Sequence, residues 1–127
     1  MALGTRFILT TDNTGWHPRY LDALLGAREG DDVAFDGVYG PCRGLRNDAS
    51  TSLLEGPADP DADPTELVRH KIESMQRAQT EGDTEQSLVM TGQVASAITE
   101  LVTIAEFVPG MAEEARKILD DLAGRLP

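Results

Sequence analysis

Cysteine is nearly missing from this chain: Cys42 stands alone among 127 residues. A single thiol closes no internal disulfide and supplies no thiolate metal site by itself, which suits a reducing, cytoplasmic setting. Aromatic residues reach only 5% against 40% hydrophobic residues, so the core is expected to be thin and mostly aliphatic. Positive charge is scarce too, with 11 Lys plus Arg against 22 Asp plus Glu and a formal net charge of −11. That balance argues against nucleic acid or an anionic membrane as the main partner, because neither would meet neutralising charge. Every long apolar stretch is broken well short of the ~20 residues of a membrane span, and Met1 to Thr10 lacks the basic start and cleavage site of an export signal. The length fits one domain.

Three helices announce themselves by their starts. His17 and Pro18 are a cap and first position for a helix over 18–28, with Tyr20, Leu21, Leu24 and Leu25 at helical spacing and Gly30 placed to end it. Asp63, Pro64 and Glu66 open another, 64 to about 79, with Leu67, Val68, Ile72 and Met75 on one face. Thr103 and Glu106 form a capping box ahead of Ile104, Phe107, Val108, Met111, Ala115, Ile118, Leu119 and Leu122, a run that Pro109 is expected to kink or split.

The remainder is less regular. Val33 and Phe35 alternate, Gly40 and Pro41 mark a turn, and 42–47 follows as a second short extended piece. Residues 48–63, rich in Pro, Asp, Ser and Gly and carrying Glu55, Asp59, Asp61 and Asp63, read as an acidic surface loop. Residues 1–10 are ambiguous between strand and helix, and 87–98 is an apolar patch in which Gly92 weakens a helix. The chain therefore divides into a turn, helix and extended pair over 1–47, the loop, and a helical part over 64–127. The fold class is mainly α with a few short β segments.

Residues with chemical potential are few. Gly4 and Thr5 offer unhindered backbone N–H groups and a hydroxyl to a phosphate if they leave a strand, although the same dipeptide serves an ordinary turn. His17 reads as a cap, and His70, between Arg69 and Lys71, reads as exposed. Neither has the spaced partners of a zinc site. Cys42 beside Arg43 lacks a base, Arg43 and Arg46 suit ion pairs, and the acids of 55–63 lack a calcium-loop pattern.

Four stretches, in order, carry a resemblance. Leu3-Gly4-Thr5-Arg6-Phe7 and His17-Pro18 with Tyr20 are similar to a "GTRF" turn followed by an "HP.Y" helix start. Residues 40–47, Gly-Pro-Cys-Arg-Gly-Leu-Arg-Asn, resemble a "GRPAR.LRN" element, and Met90-Thr91-Gly92-Gln93-Val94-Ala95 resembles "AGQ.AG", with Ser96 where a second glycine belongs. All four belong to the C-terminal part of the nitronate monooxygenase (2-nitropropane dioxygenase) family and its relatives, the flavin-dependent enoyl-acyl-carrier-protein reductases.

The resemblance implies the C-terminal portion of an FMN-binding (β/α)8 barrel, a fold that takes ~250 residues when complete. Gly4 and Thr5 then help hold the flavin phosphate at the end of the last barrel strand. Thr91, Gly92 and Gln93 lie on the flavin side, and FMN is the implied cofactor. The implied reaction is oxidation of alkyl nitronates, or enoyl reduction in the relatives. The family's active-site histidine matches neither His17 nor His70, so the chain alone is expected to be inactive, with the missing barrel portion or a second copy as its partner. A non-catalytic helical interaction module is the alternative from another class.

Overall fold

The computed structural model describes residues 3–56 and 63–125. Five helices and one hairpin make up its regular structure: α1 (Gly4–Ile8), α2 (Pro18–Leu25), β1 (Asp32–Asp36), β2 (Pro41–Leu45), α3 (Asp48–Glu55), α4 (Pro64–Glu81), a 3-10 turn (Gln93–Ala97) and α5 (Ile104–Ala123). No helix among the described residues is long and apolar enough to cross a membrane.

The helix starts follow their caps. The His17 ring accepts from the Arg19 N–H, the Asp63 carboxylate from Thr65, and Thr103 and Glu106 satisfy one another's backbone N–H groups. Helix α2 ends at Leu25, three residues before the expected 28, with Gly26 as its cap. Gly30 instead takes φ 88° in the turn entering β1, where the Asp31 carboxylate accepts from the Arg28 N–H. Helix α5 runs unbroken through Pro109, so of the expected kink or split the split does not occur. In the second turn the proline removes only one ladder bond.

Two further expectations are corrected. Residues 48–55 form α3 rather than loop, because the Asn47 side chain accepts from Ser50 N–H while Ser50 Oγ accepts from Asn47 N–H. Of the acids expected there, Asp59 and Asp61 lie outside the described residues. Gly4 and Thr5 do not follow a strand among the described residues; they open α1, a helix of five residues.

The hairpin pairs Val33 with Gly44 and Phe35 with Cys42. Its β2 edge is extended by residues 89–91: Leu45 N–H donates to Val89 O and Thr91 N–H to Arg43 O, at 2.8 and 3.0 Å. Gly44 is required at this contact, since a Cβ there would stand 2.8 Å from Val89 O and 3.0 Å from the Phe35 ring. Two small cores result. Leu9, Tyr20, Leu24, Ala78, Val89 and Ile98 form one, and Val33, Phe35 and Leu88 the other. Helix α4 meets the first core through Ala78 and the second through Met75, with Ser74 Oγ accepting the Leu88 N–H, while Leu67, Val68, Ile72 and Met75 are only half-buried.

A candidate functional site between Thr5 and Gly92

Thr5 is buried on α1, and its Oγ1 accepts the Gly92 N–H at 2.8 Å. One hydrogen bond thus joins two of the predicted site segments, 87 residues apart. Around it opens a cleft of about 390 Å³ lined by Gly4, Thr5, Ile8, Cys42, Arg43, Met90, Thr91, Gly92 and Val94. Four of the five predicted site residues line this space. Gln93 does not: it is exposed and begins the 3-10 turn. A Cβ on residue 92 would lie 3.3 Å from Thr5 Oγ1, so glycine there lets the two segments close up.

The floor of the cleft is fixed from behind. Tyr20, fully buried, donates its O–H to Met90 O at 2.8 Å, and Trp16 packs edge-on against its ring at 4.8 Å between centroids. Burial pushes the Tyr20 phenol far above its ordinary value of 10.0, so at neutral pH it acts as a neutral donor and strut. In the sequence, Tyr20 was marked by its helical spacing with Leu21, Leu24 and Leu25 and by the "HP.Y" pattern, neither of which pointed to its bond with Met90.

Among the described residues, Arg43 is the one cationic residue lining the cleft, and its Nη1 pairs with the Asp32 carboxylate. The pair with Asp32 is the role the sequence predicted for Arg43. The Thr5 hydroxyl proton has no acceptor among the described residues. The histidines lie elsewhere: His17 caps α2 with its ring against Gly82, and His70 is exposed on α4 beside Arg69. Chemically, the cleft offers the hydroxyls of Thr5 and Thr91, the latter donating to Gly92 O at 3.2 Å, one paired guanidinium and an apolar wall of Ile8, Met90 and Val94.

No protein family model matches the chain, and no curated protein does so. Solved structures match. FabK from Thermotoga maritima superimposes with a TM-score of 0.80 at 25% identity, over 96% of this chain and 38% of FabK. A mutant of the same FabK gives 0.75 at 24% identity, over 96% and 36%. The fold is that of part of FabK. The chain spans little more than a third of FabK, and its two-stranded hairpin and helices are the portion that the FabK-like fold shares with it.

Proposed function

We propose that this chain is the portion of a FabK-like flavoprotein oxidoreductase that holds the phosphate end of FMN and covers the substrate side, with an enoyl thioester as substrate class. The observation that carries the reading is the Thr5 to Gly92 hydrogen bond at the cleft. It brings together the two segments that the family resemblance assigns to the flavin side. The likeness to FabK supports the enoyl-reducing relatives over the nitronate oxidases.

The donor set fits a phosphoryl group. The Thr5 O–H donates, the Arg43 guanidinium supplies positive charge while Asp32 keeps it oriented, and the missing Cβ at Gly4 leaves the approach open, with no atom within 4 Å of where one would stand. Bound FMN supplies hydride transfer. Ile8, Met90 and Val94 exclude water from the side they cover.

The test is a chimera in which this chain replaces the matched part of Thermotoga maritima FabK. A chimera that stays yellow after desalting, and bleaches on Thr5→Val, is the expected result, with turnover of an enoyl thioester and none of propyl nitronate. A folded but colourless chimera overturns the reading. The chain by itself is expected to emerge colourless, since the Thr5 hydroxyl and the Arg43 guanidinium reach only a phosphate.

A further inference from the structure

A second cavity, which shares Cys42 and Met90 with the wall of the cleft, lies between the hairpin and α4. Its volume is about 190 Å³, and its walls are Phe35, Val38, Ile72, Met75, Leu88 and Met90. An apolar cavity of ~150 Å³ stays dry and takes up a benzene-sized guest, and each water-sized group needs ~30 Å³. This one therefore admits an apolar body of roughly six heavy atoms.

Among the described residues, Lys71 is the only charged one lining it. Its Nζ donates to Asp36 O at 2.7 Å and Gly37 O at 3.3 Å, which anchors the ammonium beside the hairpin turn. Two of three donors are thereby used and the third is free. In a chain with 22 acidic residues, no carboxylate among the described residues lies within ion-pair distance of Lys71. The turn that carries the two carbonyls is itself fixed. Gly37 N–H donates to Gly40 O at 2.9 Å, and a Cβ on Gly37 would fall 2.3 Å from Cys42 Sγ.

We infer that this cavity is a binding site for a short-chain monocarboxylate, its alkyl tail among Met75, Leu88 and Met90 and its carboxylate on the free Lys71 donor. The inference is independent of the flavin reading, because none of its evidence uses Thr5, Gly92 or a cofactor.

The chain contains its own reporters. Met75 and Met90 line the cavity, whereas Met111 sits on α5 outside it. Hexanoate titrated into methyl-labelled protein is expected to shift the resonance of Met75, which lines this cavity and not the cleft, together with that of Met90, which lines both, and to leave Met111 in place. Hexanol is expected to need roughly 2- to 5-fold more for the same shift, the factor of a solvent-accessible ion pair, and hexylammonium more again. Lys71→Arg keeps the preference for hexanoate and Lys71→Met removes it. If hexanoate moves no cavity methionine, or hexanol and hexylammonium match it on the unmodified chain, the inference is wrong. That ligand series decides the matter even where Lys71→Met loosens the hairpin.

Discussion

Two positions carry contacts that no other residue makes. Gly82 ends α4 with φ 73°, and a Cβ there would lie 2.2 Å from His17 Nδ1. His17 in turn caps α2 and donates its N–H to Gln79 O at 2.6 Å, so this glycine lets the end of one helix rest on the start of another. Gly82→Ala is expected to cost about 1–3 kcal/mol from the left-handed backbone, before the clash with the imidazole is added. Gly15→Ala, with no atom within 4 Å of the new Cβ, is expected to change urea stability little. Equal effects of the two variants would contradict this account. Tyr20 makes a pH prediction. Burial raises its folded value above the unfolded 10.0, so its contribution is complete below about pH 10 and is lost as pH rises beyond. The slope above that point is about 1.4 kcal/mol per pH unit while the folded phenol stays neutral. Unfolding curves of the wild type should show this alkaline loss, and those of Tyr20→Phe should lack it.

Among the elements, α5 differs from the rest in how it is held. None of its residues is buried, and it is fastened at its start. Ile104 N–H donates to the Asp12 carboxylate at 2.7 Å, Arg6 stacks on the Phe107 ring at 5.3 Å while donating to Glu100 O, and Phe7 meets Phe107 edge-on. Removing Arg6 should release the first turn, and fraying should spread through the exposed remainder. Arg6→Ala is expected to speed tryptic cleavage after Arg116 and Lys117 severalfold. An unchanged digestion rate would place the anchor elsewhere. The starts of α2, α4 and α5 were legible because each is a local signal: a cap, a proline or a capping box within four residues. Helix α3 was not, since its box uses Asn47 and Ser50 in a Ser-, Thr- and Asp-rich run whose composition reads as loop. Asn47 followed by Ser50 three residues on was the available clue. The site was half legible: Thr5 and Gly92 were named, but the bond between them spans 87 residues, and no local pattern encodes a contact of that range.

At the scale of the whole molecule, the unsatisfied feature is the outer face of α5. Ile104, Val108, Met111, Ala115, Ile118 and Leu122 recur at alternating steps of four and three, the spacing of a two-helix seam. Ile118, Leu119 and Leu122 are 54%, 67% and 53% exposed. The stripe is self-complementary when reversed: Ile104 of one copy faces Leu122 of another, Val108 faces Ile118, and Met111 faces Ala115. Ala105 and Ala112 beside the seam let the helices approach. Opposing this, each copy carries −11, and the pairing brings Glu114 near its own counterpart. The repulsion is screened over ~10 Å at 0.1 M salt and ~3 Å at 1 M, whereas apolar burial is not weakened by salt. We therefore propose that the isolated chain dimerises through α5, weakly in dilute buffer and more strongly in molar KCl. Sedimentation velocity should show a concentration-dependent shift from monomer to dimer that grows with salt. Ile118→Glu should leave the chain monomeric at every salt concentration with its far-ultraviolet spectrum unchanged. A monomer independent of concentration in 1 M KCl, or an Ile118→Glu variant that still dimerises, would show that the stripe does not pair with itself.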